Sequence, residues 1–333
     1  MADGAFGLTK ALERETAGVW AKVKDHVTPL EWPAQAALIS EINALKRERD
    51  AVILAHNYMT PEVFHGVADI VGDSLALARE AQTVEAGTIV LAGVHFMAET
   101  AKLLNPGKRV LLPDLRSGCS LAESITPEQV RELRAQHPGV PVVTYVNTSA
   151  AIKAESDICC TSGNALAVLE SLGVPEVIMI PDQYLARNIA AQTGIRVITH
   201  PGACEVHERF TPLDIVGIRQ GHPGVQVLAH PECPPDVVAE ADFAGSTAQM
   251  QAYVERERPQ RVALITECSM SDNVAAANPD VDFVRPCNLC PHMKRNTLSA
   301  IRAALEQGRH EITLDPATAR DARRSIERML EVA

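Results

Sequence analysis

The sequence predicts an α/β protein of three homologous units, each a small parallel sheet layered between helices, set around a pseudo-threefold axis with extra N- and C-terminal helices. Three observations predict it. Cys119, Cys204 and Cys290 stand 85 and 86 residues apart. Each ends a strand-like run and a loop, in RVLLPDLRSGC, RVITHPGAC and DFVRPCNLC, where an open α/β sheet presents its chemistry. Seven residues beyond each cysteine comes a threonine, Thr126, Thr211 or Thr297, placed to cap a helix, and Pro127 and Pro212 hold the first helical position in two cases.

The elements follow in order. Residues 1–48 read as a helical extension, since EWPAQAALISEINALKRERD carries apolar residues at helical spacing. Three α/β units are expected over 49–119, 120–204 and 205–290. Each begins with an apolar strand ending in polar residues, AVILAHNY, VVTYVNTS and VQVLAHPE. An aspartate with a hydroxyl five residues on comes next, in the pairs Asp69 and Ser74, Asp157 and Ser162, Asp242 and Thr247. A strand running into a helical pattern then appears as TIVLAGVHFMAETAKLL, EVIMIPDQYLARNIAA and RVALITECSMSDNVAA, and the strand before the cysteine closes the unit. These strands are apolar and rarely alternate, the pattern of a parallel sheet covered on both faces. HPGV recurs at His137 and His222. Residues 291–333 read as C-terminal helices packing on the first unit.

Composition bounds the function. Hydrophobic residues at 46% and charged residues at 22% are those of a globular protein, and aromatics are sparse at 4%. A formal charge of −11 without a Lys/Arg cluster argues against a nucleic-acid surface. Anionic small molecules remain compatible, because helix N-termini supply local donors. The N-terminus has acidic residues and no continuous apolar core, so no secretory signal is expected, and no apolar run reaches membrane length. A cytoplasmic, reducing location is the expectation, in which eight cysteines serve metal or redox chemistry rather than structural disulfides.

Cys159, Cys160, Cys233 and Cys268 lie in or beside buried-strand patterns and read as core residues. The period singles out Cys119, Cys204 and Cys290 as ligands. Cys287 is left as an adjacent thiol, inert or able to pair reversibly with Cys290. Soft thiolates favour an iron–sulfur cluster, while structural zinc usually takes four ligands. A [4Fe-4S] cluster held by three cysteines leaves one open iron able to act as a Lewis acid.

Polar residues gather at the strand ends: His56 and Tyr58, Tyr145 and Asn147, His230 and Glu232. Six such side chains at equivalent positions read as a cavity lining rather than as satisfied core residues. Ser74, Ser162 and Thr247 stand at helix starts, where capping and binding of a phosphate or carboxylate are compatible roles.

The ordered set AHNYMTPEV, GDSLALA, AGVHFMAETAKLL, YVNTSAAIKAESD, TSGNA, PGACEVH, HPEC, GSTAQM and CPHMKRNTL, from about residue 50 to 300, resembles the quinolinate synthase family of A type. The resemblance implies three α/β domains around a pseudo-threefold axis and a [4Fe-4S] cluster bound by Cys119, Cys204 and Cys290. It also implies condensation of iminoaspartate with dihydroxyacetone phosphate to quinolinate in NAD biosynthesis. The substrate positions it implies are His56, Tyr58, Ser74, Tyr145, Asn147, Ser162, His230, Glu232, Ser246 and Thr247. Glu232, His230, Tyr58 and His56 are the expected catalytic groups, with Glu232 as general base and Tyr58 moving a proton on the triose-derived part. Functional coupling to an enzyme producing iminoaspartate is compatible with this reading; nucleic-acid and membrane partners are not expected. The competing readings are a three-cysteine reductase, a radical enzyme and a non-catalytic iron–sulfur carrier.

Overall fold

The computed structural model describes residues 8–332. Two helices lead in, α1 (Lys10–Val23) and α2 (Trp32–Glu48). The first unit comprises β1 (Ala51–His56), α3 (Pro61–Gly66), β2 (Ile70–Gly72), α4 (Ser74–Thr83), β3 (Thr88–Ala92), α5 (His95–Leu104) and β4 (Arg109–Leu111). After α6 (Ser120–Glu123) and α7 (Pro127–Gln136) comes the second, with β5 (Val142–Tyr145), α8 (Ala150–Ala154), β6 (Ile158–Cys160), α9 (Ala165–Ser171), β7 (Glu176–Ile180), α10 (Gln183–Ala190) and β8 (Arg196–Thr199). Helix α11 (Pro212–Gly221) leads to the third, with β9 (Gln226–Ala229), α12 (Pro235–Ala239), β10 (Phe243–Ala244), α13 (Thr247–Glu257), β11 (Arg261–Ile265), α14 (Cys268–Ala277) and β12 (Asp282–Val284). Helices α15 (Leu298–Gln307) and α16 (Pro316–Glu331) end the chain.

The three sheets share one topology: β2-β1-β3-β4, β6-β5-β7-β8 and β10-β9-β11-β12, parallel throughout. Strands β3 and β5 are buried along their whole length, as helices on both faces require.

The recurring aspartates set the register. Asp69, Asp157 and Asp242 each accept a hydrogen bond from the backbone N–H of one residue of the central strand, Ile53, Val142 or Val227, at 2.7–2.8 Å. Their own N–H groups return to the carbonyl of that same residue at 2.8–2.9 Å. Lys46, Arg134 and Arg219 neutralise the three carboxylates. One residue therefore clamps edge strand to central strand in each unit.

The capping threonines behave as the sequence suggests: Thr126, Thr211 and Thr297 accept from Gln129, Asp214 and Ala300. The repeated HPG ends α7 and α11 alike, with His137 and His222 as C-caps and with Gly139 and Gly224 at φ of 82° and 79°, a region costly for other residues.

Helix α2 buries Trp32, Ala36, Ile39 and Ile42 and packs on α15 and β1. Of the N-terminal extension expected over 1–48, residues 1–7 lie outside the described residues. Helix α16 departs from expectation. It lies chiefly across α8 and β6 of the second unit, as well as α5 of the first. Its narrow face of Ala322, Ser325, Ile326 and Met329 is buried, with Ser325 Oγ 3.3 Å from Cys159 Sγ and Arg323 donating to the Leu103 carbonyl. The apolar stripe announces a packing face but not which unit receives it.

Candidate active site

A cavity opens where the strand-end loops of all three units meet. Its walls hold His56, Tyr58 and Ser74 from the first unit, Tyr145, Asn147 and Ser162 from the second, and His230, Glu232 and Thr247 from the third. Cys119, Cys204 and Cys290 line it as well. Ser246 does not. It caps α13 and donates to Asp73 Oδ2 at 3.2 Å, just behind the wall.

The helix starts divide their labour differently from the expectation of capping hydroxyls. Asp73 caps α4 and Ser246 caps α13, so Ser74 and Thr247 occupy the first helical positions. Asn164, not Ser162, stands at the start of α9. Ser74 and Thr247 are thus released from capping beside unpaired N–H groups of two helices that favour anions. Asn57 donates to Thr247 Oγ1 at 3.0 Å and fixes it.

Two motifs repeat at the strand ends. Tyr58 N–H donates to His56 Nδ1 at 3.1 Å, and Glu232 N–H to His230 Nδ1 at 3.3 Å. Each ring thereby carries its proton on Nε2 when neutral. Burial pushes His56 down to about 4 and His230 to about 3, against the pull of neighbouring carboxylates. Both are neutral at pH 7. Burial, and then Glu232, push the Tyr58 and Tyr145 hydroxyls well above their ordinary value.

Glu232 is the hub. Burial alone would raise its carboxyl, but His207 and the Tyr145 hydrogen bond outweigh it and hold it well below the usual range. Tyr145 OH donates to Oε1 at 2.5 Å, Asn147 Nδ2 approaches it at 3.4 Å, and His207 Nδ1 lies 2.7 Å from Oε2. With the His207 proton on Nδ1, Nε2 accepts from Thr266 Oγ1 at 2.9 Å, itself 2.6 Å from Tyr58 OH. One hydrogen-bonded chain therefore joins Tyr58, Thr266, His207, Glu232 and Tyr145 across three units.

Sequence reasoning assigned no role to His207 or Thr266, yet the repeat marks both by breaking. The residue three after each cysteine is Ala122, His207 or Met293, and the one after each third strand is Gly93, Pro181 or Thr266. Polar replacements at otherwise apolar positions were the available signal.

The three thiols share one environment. Cys119 faces the backbone N–H groups of Leu121 and Ala122, Cys204 those of Val206 and His207, and Cys290 those of His292 and Met293. Each is the same two-donor concavity, two and three residues on, suited to a negatively charged sulfur. Burial nevertheless pushes Cys119 up to about 12, Cys204 well above the ordinary thiol value and Cys290 upward. Three part-buried thiols that resist ionisation but sit in anion-stabilising concavities fit a metal centre that supplies the compensating charge. Cys204, His207 and Glu232 lie within 4.8 Å of one another, but both His207 nitrogens are committed within the chain, so this trio reads as an acid–base group.

The remaining cysteines correct one expectation. Cys159, Cys160 and Cys233 are buried as foreseen, but Cys268 forms a disulfide with Cys287. Cys268 is thus no core thiol, and Cys287 pairs away from Cys290. The parallel bridge between Glu267 and Asn288 lays the start of α14 along the cysteine loop, bringing the Cα atoms of Cys268 and Cys287 to 4.8 Å.

Fold and site together define an α/β enzyme of three repeated units with one shared, cysteine-lined cavity. A model of the family described as Quinolinate synthetase A protein matches residues 40–331. Quinolinate synthase 2 of Mesorhizobium japonicum is 68% identical over 96% of this chain and 99% of its own length. Quinolinate synthase of Agrobacterium fabrum is 66% identical over 95% and 92%, and that of Caulobacter vibrioides 57% over 97% and 89%. The chain belongs to the quinolinate synthase family. Among the described residues no helix is long and apolar enough to cross a membrane.

Proposed function

We propose that the cavity condenses iminoaspartate with dihydroxyacetone phosphate, giving quinolinate, one phosphate and two waters, in cytoplasmic NAD biosynthesis. The observation that carries this reading is the convergence of three equivalent thiol concavities with one Glu232-centred proton network. The helix starts at Ser74 and Thr247 receive carboxylate or phosphate groups. Glu232, ionised and held by Tyr145 and His207, is placed to take a proton from carbon as general base. Through His207 and Thr266 it is linked to Tyr58, which can return a proton to the triose-derived oxygen. His56 and His230, neutral with Nε2–H, donate to developing negative charge on oxygen. Asn147 and Tyr145 orient the dicarboxylate part. Cys119, Cys204 and Cys290 are the residues that would hold a [4Fe-4S] cluster, which when bound supplies Lewis-acid character for loss of a hydroxyl. The buried site protects an easily hydrolysed imine, so an enzyme generating iminoaspartate is the natural supplier.

Anaerobic turnover with generated iminoaspartate and dihydroxyacetone phosphate tests the reading. Wild type is expected to form quinolinate, and Cys119→Ala, Cys204→Ala and Cys290→Ala to lose both product and cluster absorbance. Fully clustered wild type that forms none would sink it. Glu232→Gln is expected to keep the absorbance and lose at least ~100-fold in turnover.

A further inference from the structure

The cavity wall carries three carboxylates, Asp73, Glu205 and Glu232, but among the described residues no lysine or arginine. That is an unfavourable lining for a ligand with two carboxylates, unless positive charge stands behind the wall. One part-buried and one buried lysine do. Lys294 is spent locally: its ammonium lies 2.8 Å from Glu267 and donates to the Tyr58 carbonyl at 2.9 Å.

Lys153 on α8 is different. It is 0% exposed, the largest wholly buried side chain, and has no ion-pair partner among the described residues. Its ammonium donates to the carbonyls of Val146, at 2.7 Å, and Thr148. The third side of the ammonium faces the Phe96 ring, 5.4 Å from the centroid. Val146 and Thr148 flank Asn147, and both Asn147 and Phe96 line the cavity. Asn147 Oδ1 is buried without a partner among the described residues, as expected of a group awaiting a ligand. The nearby carboxylate, Glu99, is committed to the Ala150 N–H at 2.8 Å and lies 3.8 Å from His95. Sequence reading passed over this lysine within YVNTSAAIKAESD because helical periodicity treats a lysine as surface.

A buried ammonium with only neutral acceptors is costly unless something anionic compensates it. Building on the proposed function, we infer that Lys153 is a positioning and specificity-determining residue: it braces the turn presenting Asn147 and supplies the unneutralised positive charge that lets this cavity hold a dicarboxylate. The lysine touches no substrate. It acts through Asn147 and through its field, which is weakly screened in the interior.

The test uses anaerobic holoenzyme and two ligands, quinolinate with two carboxylates and nicotinate with one. Lys153→Met, with melting temperature and cluster absorbance as wild type, is expected to bind quinolinate at least ten-fold more weakly and nicotinate with a several-fold smaller loss. Lys153→Arg is expected to keep the preference for the dicarboxylate. Equal losses for both ligands, or none, would overturn the inference while leaving the proposed function standing. Wild type that binds no quinolinate would overturn both. Should Lys153→Met fail to fold, ¹⁵N-lysine spectra of the wild type decide: a protonated, slowly exchanging Lys153 ammonium that shifts on saturation with quinolinate supports the inference, and a neutral or unmoved one refutes it.

Discussion

The loops carrying Cys204 and Cys290 reach the cavity by the same path and are fastened by different means. In both, a parallel bridge ties the start of the preceding helix to the cysteine loop, Asp182 to Gly202 in the second unit and Glu267 to Asn288 in the third. The second unit achieves this by close backbone packing. Gln183 N–H donates to Gly202 O at 2.9 Å, Gly202 N–H to Pro181 O at 3.1 Å, and a Cβ at Gly202 would fall 2.5 Å from Pro181 O and from Ser124 Oγ. Asp182 there has no cation partner among the described residues; burial, then Glu232, push its carboxyl well above its usual value. The third unit uses charge and a covalent bond instead. Glu267 pairs with Lys294 and approaches the Cys290 N–H at 3.4 Å, while Cys268 and Cys287 are joined. Its loop is also the more open, with Leu289 at 48% exposure. A repeated fold thus keeps the position of a cysteine without keeping what secures it.

If the third loop depends on its ion pair, Lys294→Met should have the largest effect, because it strands a buried carboxylate; breaking such a pair costs about 3–5 kcal/mol. The expected outcome is a lower melting temperature and less iron bound per protein. In contrast Asp182→Asn, which keeps a side-chain oxygen able to cap α10, should cost less than about 1 kcal/mol. Equal effects would erase the distinction. Next comes the disulfide, which closes a short loop between residues 19 apart. Cys268→Ser should lower stability by about 3 kcal/mol in the chain-entropy account. Iron content at low temperature should hold, since the Glu267–Lys294 pair remains. Gly202→Ala should cost about 1–3 kcal/mol by overpacking and lower iron content through Cys204. Thermal melts and iron-to-protein ratios on the same preparations check all four substitutions.

These fasteners also show where a sequence is legible. The 85-residue period located Cys119, Cys204 and Cys290, and the polar ends of β1, β5 and β9, because equivalent residues in equivalent strands need no knowledge of how units dock. The aspartates at 69, 157 and 242 were visible as landmarks, though their task of pinning the central strand emerged only from backbone geometry. Contacts between units are another matter. Tyr58 meets Thr266 and Tyr145 meets Glu232 across 208 and 87 residues, and no local pattern encodes such pairings. Cys268 looked like a core thiol because its partner arrives on a loop whose path the strand pattern does not specify. Lys153 was missed for a different reason: its burial comes from two backbone carbonyls and a ring, none of which changes the apolar periodicity around it.

The smallest effect separates the second unit from the other two. At the equivalent strand end the first and third units carry His56 and His230, buried and neutral, whereas the second carries Tyr145. Their folded pKa values, about 4 and 3, lie below that of an exposed histidine, about 6.5. The unfolded chain therefore takes up protons first as pH falls through 6.5. The stability these rings contribute is complete above that value and is lost progressively toward pH 4. Between pH 7 and pH 6 the two together should remove about 1 kcal/mol. Tyr145, pushed upward, contributes nothing in this window. Denaturant melts at the two pH values should show the drop roughly halved in His56→Gln and in His230→Gln and unchanged in Tyr145→Phe. A slope that survives both histidine substitutions would place the acid sensitivity outside the strand ends.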